Sequence, residues 1–358
     1  MGLMRAVRQL LISQTNQTPV SELIIHVGMH KTGTTSIQRS LQGYDDGQTR
    51  YLDLGPMANH SIPVFSLYTE DLSDYRALQS QGLSAKQTER AVNDWKHKLH
   101  SEFQNHKRAT YIMSGEDIGF ISDEGKERLV TDMRCRVSDI RVVMYARRPL
   151  DFVVSAIQER IKNGHCDAIT SPVRVGYARY CSAFQALLGK HKVAVFEFEK
   201  ACEAQNGVLG HFSELLQLQP PSLVSEQNVR LNEPIVKLLF LLNRSKIELT
   251  RVKRLKIIGT LQRLYAGGNE LDVTAFEKTF VVSEQDASLM EDHQIEVKRC
   301  KADRKAVANL AHYLTDVSTV DLAPLKEYVG STESSDAAAL LSTLCDHSRL
   351  GKARVLRP

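Results

Sequence analysis

Four short apolar runs organise the chain, and each is followed by a turn and then by helical spacing. The runs are Leu23-Ile24-Ile25 with Val27, Ala109–Met113, Ile140–Ala146 and Lys192–Phe198. Their β-branched and aromatic content, without clean alternation, predicts strands buried on both faces. After the first run, Ile37 and Leu41 stand four apart on one helical face, with Gly43 as a stop. After the third, Pro149 opens a helix in which Phe152, Ala156 and Arg160 share one row, Val153 and Ile157 share the next, and Gly164 closes the element. Tyr177, Cys181, Phe184 and Leu188 mark another helix ended by Gly189. This alternation predicts an α/β fold: a mainly parallel central sheet with helices on both faces.

Between these units the pattern is weaker. Residues 44–82 read as loops around Gly47, Gly55, Pro56, Pro63 and Gly82, with short strands at 50–54 and near 64–67. A helix is expected over 85–107, with Trp95 as a packing residue, and others near 122–136 and 205–218. Residues 1–20 suggest a weakly amphipathic helix and a polar linker. Residues 233–265 are helical in pattern and basic: from residue 244 onward, Arg244, Lys246, Arg251, Lys253, Arg254, Lys256 and Arg263 meet Glu248 alone as an acid, a solvated face or a contact for an anion. The remainder, including 300–314 and 336–345, alternates helical patterns and polar loops, to pack on the core or to serve a homodimer contact. The expected organisation is 1–21 as a helix and linker, 22–245 as the α/β domain, and 246–358 as a helical C-terminal extension.

Composition narrows the class. A chain of 358 residues with 42% hydrophobic and 25% charged content is that of an ordinary globular protein. Its net charge of +4 suits an anionic ligand without calling for nucleic acid. No apolar run approaches the ~20 residues of a membrane helix, and the first residues suggest no secretory leader. The six cysteines (Cys135, Cys166, Cys181, Cys202, Cys300 and Cys345) show no paired spacing. They are expected to be reduced and mostly buried thiols of a cytoplasmic protein with no structural metal.

The chemistry concentrates in Gly28-Met29-His30-Lys31-Thr32-Gly33-Thr34-Thr35-Ser36. A strand, a glycine-bounded turn and a hydroxyl-rich helix start make a phosphate cradle, since free backbone amides and the helix dipole both favour an anion there. In the nucleotide-hydrolysing P-loop the lysine follows the second glycine. Here Thr34 holds that place and Lys31 lies inside the turn. The Lys-x-Gly-Thr-Thr form resembles the 5′-phosphosulfate loop of sulfotransferases that use 3′-phosphoadenosine 5′-phosphosulfate, and the extended match Gly28–Gln38 is most like bacterial carbohydrate-type members. Arg147 and Ser155, eight residues apart across the start of the next helix, are similar to that family's 3′-phosphate motif.

The resemblance covers about residues 22–245 and implies a P-loop-like, three-layer fold. It also implies sulfuryl transfer to a hydroxyl or amine acceptor, in expectation a glycan or glycoconjugate. Under it, Lys31, Thr32, Gly33, Thr34, Thr35 and Ser36 would hold the 5′ end of the co-substrate, with Arg147 and Ser155 on its 3′-phosphate. No metal is needed. Glu116, after the second strand, is the preferred base and His30 the next, Lys31 and the helix dipole disfavouring protonation of His30. Glu116 and Asp117 have a second reading as caps of the helix near 122–136. A small-molecule kinase of the P-loop class and a non-catalytic carbohydrate-binding or assembly protein on the same core are the alternative functions.

Overall fold

The computed structural model describes residues 21–165, 171–219, 230–244 and 249–331. The expected N-terminal helix and linker, Cys166, Lys246, Glu248, the 336–345 pattern and Cys345 lie outside the described residues. Contacts divide the chain into two compact units, one within Met1–Ala146 and Tyr177–Ser225, the other within Arg147–Gly176 and Glu226–Pro358.

The first unit is a five-stranded parallel sheet. Its strands are β1 (Glu22–Val27), β2 (Thr49–Tyr51), β3 (Thr110–Gly115), β4 (Asp139–Ala146) and β6 (Val193–Glu197), in the order β2-β3-β1-β4-β6. β1 is central because its side chains are apolar on both faces: Leu23, Ile24, Ile25 and Val27 are all fully buried. On one face, Ile24, Ile112, Val143 and Tyr145 pack with Ile37 and Leu41 of helix α1 (Thr34–Leu41), and with Val208, Leu209 and Phe212 from a helix at Gly207–Leu215. Helices at Ser61–Tyr68, Asp123–Arg134 and Tyr177–Leu188 also belong to this unit.

Parallel register sets the position of the site. Val27 lies opposite Gly115, and the Gly28 amide donates to the Gly115 carbonyl at 3.3 Å. The turn after β1 and Glu116 after β3 therefore leave the same carboxyl edge of the sheet, where ligands of open parallel sheets gather.

Several expectations are corrected. The apolar stretch near 64–67 is not a strand but part of the Ser61–Tyr68 helix. Short apolar runs do not distinguish the two, and Pro63 sits in the first helical turn, where its missing N–H costs little. Ser122, not Glu116 or Asp117, caps the Asp123–Arg134 helix, its hydroxyl accepting from the Gly125 amide. A one-turn 3₁₀ segment, Asp117–Phe120, stands between. The Ala85–Asn105 helix starts on a capping box of Ser84 and Gln87, and Trp95 is half-buried on it. Among the described cysteines only Cys181 is buried; Cys135 and Cys202 are exposed, because each ends a helix at the surface.

The second unit holds a helix at Pro149–Lys162 with Pro149 at its first position, and helices at Glu233–Arg244, Arg251–Leu264, Glu284–Asp292 and Arg304–Thr315. A two-residue parallel ladder pairs β5 (Val173–Arg174) with β7 (Phe280–Val281). The Asn243 amide donates to the Ile161 carbonyl at 2.8 Å, and Arg254 donates to Asn243 at 2.7 Å. Of the basic row read from the sequence, Arg254 is thus built into the unit's own packing, while Arg251, Lys253, Lys256 and Arg263 are exposed.

Candidate functional site

The turn after β1 is shaped by two residues in the left-handed region, Lys31 (φ 69°) and Gly33 (φ 70°). For lysine this backbone costs roughly 1–2 kcal/mol, a kind of strain that clusters at functional sites. Gly33 admits no side chain: a Cβ there would stand 2.6 Å from Val208 Cγ1. At Gly28 a Cβ would lie 2.4 Å from Thr34 Cγ2, so the loop closes onto its own helix only with glycine at that position.

Gly33 caps α1 with no side-chain acceptor, and its carbonyl takes the amides of Ser36 and Ile37 at 3.0 and 3.2 Å. Among the described residues the amides of Thr34 and Thr35 reach no acceptor. These two donors at a helix N-terminus are suited to an anion. The hydroxyls divide into two sets. Thr32 and Thr34 are buried, and both donate to the Met29 carbonyl, at 2.7 and 3.3 Å. The sequence reading placed both residues at the 5′ end of the co-substrate; in the structure their hydroxyls are engaged in the loop's own framework, which leaves Thr34 its amide. Thr35 and Ser36 are half-buried, and among the described residues their hydroxyls make no hydrogen bond.

The two candidate bases, 86 residues apart in sequence, meet: His30 Nδ1 lies 3.0 Å from Glu116 Oε2. An ionised carboxylate only accepts, so Nδ1 carries the hydrogen and Nε2 is the lone pair of the neutral ring. The hydrogen bond to Glu116 raises His30 above its ordinary value, aided by the charges of Glu116 and Asp117 and opposed by burial and Lys31. This corrects the expectation that Lys31 and the dipole would prevail: Lys31 does push the imidazole down, but the carboxylates outweigh it. Asp117 is engaged elsewhere, accepting from Tyr75 Oη at 2.6 Å. The His30 ring lies 5.6 Å from the Phe120 ring, inclined at 36°.

Behind the loop is a buried polar cluster that sequence reasoning missed. His26 Nδ1 is 2.8 Å from Ser114 Oγ, and Gln38 Nε2 donates to the same oxygen at 3.2 Å. The signal was a histidine inside an apolar strand, since a polar residue on a doubly buried strand needs a partner. His60 lies on the far side of β3, its Nδ1 accepting the Ser114 amide at 3.1 Å.

Burial drives His26 down from 6.5 to about 3, and His60 down to about 4. Both folded values lie below the unfolded one. The stability gained by keeping them neutral is therefore full above about pH 6.5 and is lost as pH falls, at about 1.4 kcal/mol per pH unit per residue. Urea midpoints measured at pH 7.5 and 5.5 should drop steeply for the wild type and less steeply for His26→Gln. Equal slopes would contradict the assignment.

Arg147 directly follows β4, and Ser155 lies half-buried on the Pro149–Lys162 helix; both fall in the second unit. Among the described residues no group of three or more His, Cys, Asp or Glu side chains could hold a metal ion, and no helix is long and apolar enough to cross a membrane.

No protein-family model matches the sequence, and no curated protein matches it. Among solved structures, a crystal structure of a sulfotransferase from Alicyclobacillus acidocaldarius is similar to this chain at 15% identity and a TM-score of 0.35, covering 66% of this chain and 98% of that one.

Proposed function

We propose that the chain is a sulfotransferase that moves a sulfuryl group from 3′-phosphoadenosine 5′-phosphosulfate to a hydroxyl acceptor, a glycan or glycoconjugate by the motif's resemblance. The observation that carries the reading is the loop itself: a lysine held in left-handed backbone inside a glycine-bounded turn, next to a hydrogen-bonded His30–Glu116 pair.

The donor set fits an anionic 5′ end, because the Thr34 and Thr35 amides and the Thr35 and Ser36 hydroxyls have no other acceptor or donor among the described residues. Arg147 and Ser155 would hold the 3′-phosphate, a guanidinium fork and a hydroxyl suited to a phosphate monoester. The co-substrate, when bound, supplies the sulfuryl group and a good leaving group. Lys31 and the loop amides offset the negative charge that grows on the departing 5′-phosphate oxygen. His30 Nε2 takes the proton of the acceptor hydroxyl, and Glu116 fixes the tautomer and steadies the imidazolium. In this arrangement Glu116 orients the base, and His30, the second choice from sequence, becomes the base.

Transfer of labelled sulfate from the co-substrate to a panel of hydroxyl compounds tests the reading; transfer of labelled phosphate from ATP instead would favour a kinase. If Arg147 holds the 3′-phosphate, Arg147→Ala should remove most of the preference for adenosine 3′,5′-bisphosphate over AMP. That preference should amount to roughly 1.5–3 kcal/mol per charged hydrogen bond. Calorimetry on both nucleotides measures it, and an undiminished preference in the variant would take the 3′-phosphate away from Arg147.

A further inference from the structure

Beside the His30–Glu116 pair stands a stack that the transfer chemistry leaves without a task. Arg179 Cζ lies 4.3 Å from the centroid of the Phe120 ring, the same ring that His30 approaches at 5.6 Å, and Tyr180 meets its edge at 5.3 Å and 74°. These contacts bring the guanidinium within roughly 10 Å of the candidate base.

The guanidinium is exposed, and among the described residues it forms no ion pair. Both nearby carboxylates are already engaged, Glu116 by His30 and Asp117 by Tyr75. Helix stability does not account for Arg179 either. It is the third residue of the Tyr177–Leu188 helix, whose first turn holds no acid, and a cation there meets the positive end of the dipole. The backbone is nonetheless held firmly, since the Arg179 carbonyl accepts from Nζ of the buried Lys126 at 2.7 Å. The result is an exposed cation whose backbone is anchored and whose guanidinium lies over an aromatic ring shared with the candidate base.

We propose that Arg179 selects the acceptor: the hydroxyl compound carries an anionic group, a carboxylate or a sulfate or phosphate ester, about one ring's length from the accepting oxygen. The planar fork of Arg179 binds that group, and Phe120 keeps the fork oriented. The inference rests on the sulfuryl-transfer reading and adds the charge of the substrate to it. A solvated arginine that merely covers Phe120 with its stem is the competing account.

Two matched pairs of hydroxyl compounds separate these accounts: methyl glucoside with methyl glucuronide, and benzyl alcohol with 4-(hydroxymethyl)benzoate. Each is titrated calorimetrically into the wild type, Arg179→Gln and Arg179→Lys, with and without adenosine 3′,5′-bisphosphate, after thermal melts establish that the variants are folded. The anionic member of at least one pair should bind the wild type tenfold or more tightly than its neutral partner. Arg179→Gln should erase that difference, and Arg179→Lys should recover part of it. Affinity for adenosine 3′,5′-bisphosphate should stay within twofold in both variants. The inference is overturned by the absence of an anionic preference in both pairs, or by a preference that survives in Arg179→Gln. It is equally overturned by a loss of nucleotide affinity in Arg179→Gln, which would assign the guanidinium to the donor. Failure of the wild type to bind adenosine 3′,5′-bisphosphate would instead bring down the transfer reading, whatever the acceptor titrations show.

Discussion

Lys31→Ala should lower turnover by about 10²-fold or more, the usual size of one preorganised donor at a developing charge. Affinity for adenosine 3′,5′-bisphosphate should fall by much less. The Thr34 and Thr35 amides remain, and the ground-state anion is less demanding than the transition state. Lys31 adopts left-handed backbone at φ 69°, so alanine inherits the same strain and the loop should keep its path. Glycine at this position relieves the strain but still lacks the ammonium, so Lys31→Gly should be equally slow and at least as stable. Single-turnover rates on the three proteins measure this. Near-wild-type rates in either variant would remove the loop from the chemistry.

The second large effect belongs to the base. His30→Ala should cut turnover by roughly 10²- to 10⁴-fold with donor affinity preserved. Glu116→Gln should cost less, because glutamine still accepts from Nδ1–H but no longer steadies the imidazolium. The pH profile separates base from orienter. His30 must be neutral to accept a proton, so kcat should rise as pH passes upward through its folded value, which the bond to Glu116 holds above the ordinary 6.5. Glutamine leaves a neutral hydrogen bond in place of the charge-assisted one, the largest raising cause, and abolishes the attraction of the Glu116 charge, so the acidic limb should move to lower pH in Glu116→Gln. An unmoved limb, or a Glu116→Gln enzyme as dead as His30→Ala, would return the role of base to the carboxylate.

The central strands were legible because they are buried on both faces, and continuous apolar runs leave little choice of structure. The loop was legible because its glycines, lysine and hydroxyls fall within nine consecutive residues; the contact of Gly33 with Val208, by contrast, is not local and left no mark on that pattern. Pairing of His30 with Glu116 was not, since it depends on the register that sets Val27 against Gly115. Two candidate residues read as rivals for one role turned out to be partners. The inward turn of the Thr32 and Thr34 hydroxyls was likewise hidden: hydroxyls at a helix start serve a ligand or the local backbone equally well, and only the position of the Met29 carbonyl decides. The β5–β7 ladder could not be seen because two residues per strand carry no period. The stretch near 64–67 was misread for the related reason that a short apolar run beside a proline fits either element.

Isothermal titration of the wild type with adenosine 3′,5′-bisphosphate, AMP, ADP and magnesium ATP tests the central claim most directly. It asks which phosphates the Lys31 loop and its partners were built to hold. The account predicts that the 3′,5′-bisphosphate binds at least tenfold more tightly than any of the others, without magnesium. Tightest binding of magnesium ATP, with the bisphosphate no better than AMP, would contradict it.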